Sequence, residues 1–99
     1  MTVYVIAQLS FTDRAAYRRY QARFMEVMNR YQGRLLAADE KPRVLEGKWD
    51  RDKLVLMSFP DEAAYREWAG SPAYREISKD REAGADAVVL LARGIPGAP

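Results

Sequence analysis

The chain contains neither cysteine nor histidine. Without cysteine there is no disulfide scaffold, no thiolate nucleophile and no thiolate ligand for a metal. Losing histidine as well removes the Ser-His-Asp and Cys-His constellations, the common zinc sites and a His-ligated haem. Acid and base work is therefore left to carboxylates, tyrosine, lysine and arginine. A Gly-rich phosphate loop is also absent, so no nucleotide or flavin is expected, and the reading is of a protein with no metal and no cofactor. Charge of either sign is hardly in excess: 16 Lys and Arg stand against 14 Asp and Glu, too small a balance to argue by itself for a nucleic acid or another polyanion. Met1 leads into a short apolar segment with no basic leader, which reads as neither signal peptide nor membrane span; the expected location is the cytoplasm.

What is present is a repeat. Asp13-Arg14-Ala15-Ala16-Tyr17-Arg18-Arg19-Tyr20 lies over Asp61-Glu62-Ala63-Ala64-Tyr65-Arg66-Glu67-Trp68, each preceded by an apolar run ending in Ser-Phe. The chain thus reads strand then helix twice. Its 99 residues suit one domain, expected over residues 1–94, with a Gly/Pro tail over 95–99. At this size, cover for both faces of a sheet is expected to come in part from a second chain.

In order, Thr2 to Ser10 predicts a strand apolar on both faces. Asp13 caps a helix running to about Tyr31, with Ala16, Tyr17, Tyr20, Phe24, Val27, Met28 and Tyr31 on its inner face and Gly33 as its left-handed stop. Arg14, Arg18, Arg23, Glu26 and Arg30 make the opposite, solvated face. Arg34 to Ala38 predicts a short strand. Arg43 to Trp49 and Lys53 to Phe59 are expected to pair as an antiparallel hairpin around Asp50-Arg51-Asp52. Asp61 caps a second helix ended by Gly70, and Ser71-Pro72 starts a third, with Tyr74 and Ile77 facing inward. Ala87 to Ala92 is the last strand. This order is the split βαβ, ferredoxin-like α+β arrangement: an antiparallel sheet with its helices on one face. Because Val3 to Leu9, Leu54 to Met57 and Val88 to Leu91 are apolar at successive positions, the other face is expected to be covered by a second copy, giving a homodimer.

The segments Asp13 to Tyr20, Gly33-Arg34-Leu35-Leu36, Val44-Leu45-Glu46-Gly47-Lys48-Trp49, Phe59-Pro60, Ala64 to Trp68 and Ser71-Pro72-Ala73-Tyr74 with Arg81 following resemble a bacterial family of unknown function, domain-of-unknown-function family 1330 of the dimeric α+β barrel superfamily. The likeness covers nearly the whole chain, with Gln32-Gly33 where members often have a Gly pair. It implies the fold and a homodimer, and no established activity. The superfamily's cofactor-free monooxygenases, isomerases and haem-handling proteins are analogies of fold alone.

Arg81, seven residues after Tyr74 and four after Ile77, shares their helical face and wants an anion there. Glu46, alternating with Val44 in the expected strand, is the candidate catalytic carboxylate, its proton affinity raised by cover. Arg34, Tyr74, Trp49 and Trp68 complete the candidate binding residues. A structural ion pair of Glu46 with Arg34 or Arg81 is the alternative, as core or dimer packing is for the aromatics. Two functions follow: a small-molecule enzyme or binding protein using the cleft between sheet and helices, or an interaction module with no ligand. If there is a reaction, it is oxygenase-like or isomerase-like by the superfamily analogy. RNA is disfavoured, because Lys53-Leu-Val-Leu-Met-Ser-Phe lacks the exposed aromatics of an RNA-recognition strand.

Overall fold

Three side chains start the three helices. The Asp13 carboxylate accepts the N–H groups of Ala15 and Ala16 at 3.1 and 3.3 Å, opening α1, Arg14–Met28. Asp61 accepts the Ala64 N–H at 2.8 Å, opening α2, Glu62–Ala69. The Ser71 hydroxyl accepts the Tyr74 N–H at 3.1 Å ahead of α3, Pro72–Gly84, where Pro72 occupies the first turn and its missing N–H costs nothing. The structure, a computed structural model, describes residues 1–97, and the last two positions of the expected tail lie outside the described residues.

The strands are β1, Val3–Phe11; β2, Arg34–Asp39; β3, Lys53–Phe59; and β4, Ala85–Arg93. They form one antiparallel sheet in the order β2-β3-β1-β4, a ferredoxin-like α+β fold. Period-two alternation decides which side chains meet the helices. Val3, Val5, Ala7 and Leu9 of β1 and Lys53, Val55, Met57 and Phe59 of β3 are buried under them, while Tyr4, Ile6, Gln8, Leu54 and Leu56 take the opposite, half-buried face. Ala16, Tyr17, Tyr20, Phe24, Val27 and Met28 of α1 meet this layer from above, with Ala64, Trp68 and Ile77 from α2 and α3. Arg14, Arg18, Arg23, Glu26 and Arg30 are exposed, a solvated helix surface.

Three local expectations change. The hairpin of Arg43–Trp49 with β3 does not form, because β3 already has β1 on one edge and β2 on the other. Residues 40–52 are a loop instead, with Gly47 in the left-handed region (φ 85°) and Leu45 92 % exposed. The loop is pinned near β1: Trp49 Nε1–H donates to Gln8 Oε1 at 2.9 Å, the Asp52 N–H to the Leu9 carbonyl at 2.7 Å, and the Phe11 N–H to the Asp52 carboxylate at 2.8 Å. Helix α1 ends at Met28 rather than Tyr31, with Asn29 as its C-cap. Gly33 does not stop it through a left-handed backbone, since its φ is not positive. Its role is close approach: a Cβ there would lie 2.5 Å from Met28 Sδ and 2.5 Å from the Phe59 ring.

On β4, Val88, Val89, Leu90 and Leu91 are 37 to 50 % exposed, so beyond the core-packed Ala85 and Ala87 the last strand is apolar on both faces and only partly covered on either. With Leu36 on β2 and the half-buried Ile6, Leu54 and Leu56, this leaves a largely apolar sheet surface turned away from the helices. No helix is long and apolar enough to cross a membrane among the described residues.

Candidate functional site

Between the helices and the helix-facing side of the sheet lies a cavity of about 800 Å³, within the range of small-molecule sites. Its floor comes from β1 and β3, through Val5, Ala7, Val55 and Met57, and its walls are aromatic: Tyr17, Tyr20 and Phe24 of α1, Trp68 of α2 and Tyr74 of α3. The rings brace one another. Tyr74 and Trp68 lie 4.1 Å apart between centroids, and Tyr20 meets Phe24 and Tyr74 edge-on at 5.7 and 6.1 Å.

Polar groups converge on this apolar space. The hydroxyls of Tyr20 and Tyr74 are 2.9 Å apart, and the Arg81 guanidinium lies beside the Tyr74 hydroxyl. Two buried donors that line the cavity, Arg81 Nε–H and Trp68 Nε1–H, have no acceptor among the described residues, and Arg81 makes no ion pair among them. A buried donor left without an acceptor costs about 1–3 kcal/mol, so each is a place where an incoming oxygen would be favoured. Lys53, 5 % exposed, stands on the helix side at the start of β3, with Nζ donating to Gln21 Oε1 at 3.3 Å and sitting 4.8 Å from the centre of the Tyr17 ring. The lining carries Lys53, Arg75, Lys79 and Arg81 against one carboxylate, Glu82, so the cavity is electropositive.

Burial sets the protonation states. It pushes the Tyr17 hydroxyl up to about 12, with smaller pushes from Tyr74 and Glu40 and a counter-pull from Arg81. It also raises Tyr20, helped by Tyr74, and raises Tyr74 although the bond from Tyr20 and the neighbouring Arg81 draw the other way. All three are therefore neutral hydrogen-bond donors near pH 7. Lys53 moves in the opposite sense: loss of hydration lowers its pKa, only partly offset by Glu40.

Of the residues singled out from sequence, Arg81, Tyr74 and Trp68 line this one cavity. Three others lie elsewhere. Glu46 is not on a covered strand; it is exposed in the 40–52 loop, and no ion pair joins it to Arg34 or Arg81 among the described residues, so neither the cover nor the structural pair expected of it is there. Arg34 is exposed on edge strand β2, beside a shallower hollow with Thr2, Tyr4 and Ser58. Trp49 is tied to Gln8, on the side of the sheet away from the helices. Sequence reading passed over Tyr17, Tyr20 and Lys53. The signal for Lys53 was available: it is the one charged residue in the alternating set Lys53, Val55, Met57, Phe59 that faces the core. Among the described residues no group of three or more Asp or Glu is placed to hold a metal ion.

A four-stranded antiparallel sheet under three helices, enclosing such a cavity, defines the class as ferredoxin-like α+β proteins. Within it, the chain belongs to the family described as domain of unknown function (DUF1330), whose model matches residues 2–95. No curated protein matches the chain in sequence. Among solved structures it is similar to a protein of unknown function from Rhodopseudomonas palustris, at TM-score 0.80 and 20 % identity over 95 % of this chain and 82 % of that one. It is also similar to SnoaB, a cofactor-independent oxygenase from Streptomyces nogalater, at TM-score 0.69 and 15 % identity over 98 % of both chains. A third is a dimeric ferredoxin-like protein of unknown function from Thermobifida fusca, at TM-score 0.67 and 14 % identity over 93 % of this chain and 90 % of that one.

Proposed function

We propose that the protein is a homodimer whose protomers each bind, in the cavity between helices and sheet, a small planar organic molecule ending in a carboxylate or an enolate oxygen. The observation that carries this reading is the pair of buried N–H donors, on Arg81 and Trp68, which line an aromatic cavity with no acceptor to meet them. An anionic oxygen meets both needs: it accepts from the donors, and it is held by a guanidinium that makes no ion pair among the described residues. The rings of Tyr20, Phe24, Trp68 and Tyr74 supply flat apolar contact for the body of the ligand.

If the bound molecule reacts, the chemistry open to these residues is stabilisation of an enolate. Neutral Tyr74, kept protonated by burial and accepting a hydrogen bond from Tyr20, donates to an oxygen on which negative charge develops, while Arg81 balances that charge. No metal is needed for this step. The likeness to a cofactor-independent oxygenase is compatible with it at the level of fold. For the dimer, the support is the apolar sheet face carrying Leu36, Val88 and Leu90, together with a structural relative that is itself dimeric.

The test is a melting-curve comparison of matched pairs, such as 2-naphthoate against 2-naphthamide, repeated on Arg81→Met. A ligand at about 100 times its dissociation constant adds about 2.7 kcal/mol, readily seen as a rise in melting temperature. The carboxylate should raise it and the amide should not, and the rise should vanish in Arg81→Met. Equal shifts from acid and amide, or a shift that survives the substitution, would overturn the anion reading. A library of planar acids that shifts nothing would favour an interaction module with no ligand.

A further inference from the structure

Lys53 is the buried nucleophile that an anion-binding role leaves unused. It is placed by the register of β3, whose odd positions all face the helix layer: Val55, Met57 and Phe59 are core, and Lys53 continues their row to where β1 ends and α1 passes overhead. Its stem is covered, and Nζ reaches the cavity wall against the Tyr17 ring with the Gln21 side-chain oxygen as its hydrogen-bond partner. No carboxylate pairs with it among the described residues. Glu40, the acidic group that acts on it from a distance, lies 3.6 Å from Arg14. The other three lysines, Lys41, Lys48 and Lys79, are exposed.

A lysine amine is a weak nucleophile while it is a hydrated ammonium and a strong one when apolar surroundings favour the neutral form. Here desolvation acts in that direction, and Lys53 is among the residues lining an aromatic cavity large enough for a small molecule. Gln21 and the Tyr17 ring restrict where the amine can point, which holds it toward the space a ligand would occupy.

We infer that Lys53 forms a reversible imine with an aldehyde or ketone carbonyl of a small aromatic or apolar molecule bound in the cavity. The amine lone pair attacks the carbonyl carbon, and a proton passes from nitrogen to oxygen to give the carbinolamine. Loss of that oxygen as water, carrying the second N–H proton, leaves the C=N bond, so amine and carbonyl give imine and water with no oxidant or reductant consumed. The inference rests on the cavity admitting small molecules, and not on Arg81 selecting anions.

Trapping tests it. The full chain is incubated near neutral pH with benzaldehyde and cyanoborohydride, which reduces an imine to a stable secondary amine, and the adducts are located by peptide mapping. Expected is modification of Lys53 on the order of tenfold faster than of Lys41, Lys48, Lys79 or the amino terminus, a modest part of what proximity in a closed site supplies. Lys53→Arg, which keeps the cation and most of the bulk, should reduce the total adduct to the slow surface background, with its melting curve recorded alongside. Labelling spread evenly over the four lysines, or a Lys53 left unmodified while the exposed lysines react, overturns the inference on the wild-type protein alone, whatever the variant does. Because benzaldehyde carries no charge, its labelling of Lys53 is read on the wild-type protein independently of the 2-naphthoate melting shift. A failure of the anion reading with Lys53 still labelled is thereby told apart from a failure of this one.

Discussion

The hydroxyls of Tyr20 on α1 and Tyr74 on α3 meet at 2.9 Å over the cavity, a buried polar link between two helices that are also joined at the surface, where Arg19 Nε–H donates to Asp80 Oδ1 at 3.2 Å. The two are not equivalent. Tyr74 also has the Arg81 guanidinium beside it, whereas among the described residues the Tyr20 hydroxyl has Tyr74 as its one side-chain partner, and Tyr20 is only 6 % exposed. Removing one hydroxyl therefore has a different consequence from removing the other.

Tyr74→Phe leaves the Tyr20 hydroxyl buried with no partner and should cost about 1–3 kcal/mol, the price of an unmet buried polar group. Tyr20→Phe should cost less, since the Tyr74 hydroxyl keeps Arg81. The double substitution should cost less than the sum, because it removes both members of the pair together. Urea titrations of the three variants measure this, and a Tyr20→Phe loss larger than that of Tyr74→Phe would contradict the arrangement.

Alkaline pH should unfold the protein through these same groups. Tyr17 has a folded-state pKa of about 12 against an unfolded value near 10.0, so the folded state holds the proton more tightly. Its contribution is fully present below about pH 10 and is lost as pH rises through about 12. Tyr20 and Tyr74 are raised by burial and act in the same sense. Lys53 runs the other way: its folded pKa is lowered, so the unfolded state binds more protons below 10.5, and stability rises with pH in the window between the folded value and 10.5. The expected profile of urea midpoint against pH is a shallow rise on the near side of about pH 10, flattened in Lys53→Met, followed by a steep fall beyond it.

The elements that follow from local rules were readable: the capped starts at Asp13, Asp61 and Ser71, the periodic inner face of α1, and the strands at either end of the chain. Arg43–Trp49 was misread because alternation reports only that a segment could be a strand. Whether it is one depends on a free partner edge, and β3 has none, its two edges being occupied by β1 and β2. Glu46 inherited that error, since its supposed cover came from the strand. Arg81, Tyr74 and Trp68 were legible because helix period puts residues on a face. Their meeting with Lys53 and Tyr17 was not, since it depends on how α1 and α3 cross the sheet, which no local spacing encodes.

Glu46 and Arg81 give opposite expectations. Glu46→Gln changes an exposed loop residue with no ion pair among the described residues, so melting should move by less than about 0.5 kcal/mol and any ligand response should persist. Arg81→Met removes a charge that makes no ion pair among the described residues, so stability should hold or rise while the carboxylate response disappears. Loss of several kcal/mol in Arg81→Met would mean that the guanidinium is structural.

Neighbouring residues on β3 separate the fold from the assembly. Val55 points to the helices and is 8 % exposed among core side chains, whereas Leu56 points to the other face, opposite Ile6 on β1 and Ala37 on β2. An aspartate at Val55 places an unpaired carboxylate in the core, where desolvation costs more than the few kcal/mol by which a domain of this size is stable, and the chain should not fold. The same change at Leu56 leaves that core intact. Its charge instead enters the apolar face that a second copy is proposed to cover, where two-fold symmetry brings the residue in twice. Leu56→Asp should therefore give a folded chain with a native circular-dichroism spectrum that sediments as a monomer of about 11.3 kDa at low micromolar concentration, where the unaltered protein is expected to sediment as a dimer. A wild-type protein that is already a folded monomer there would remove the dimer from the proposed function. A Leu56→Asp variant that stays dimeric would move the interface to another surface.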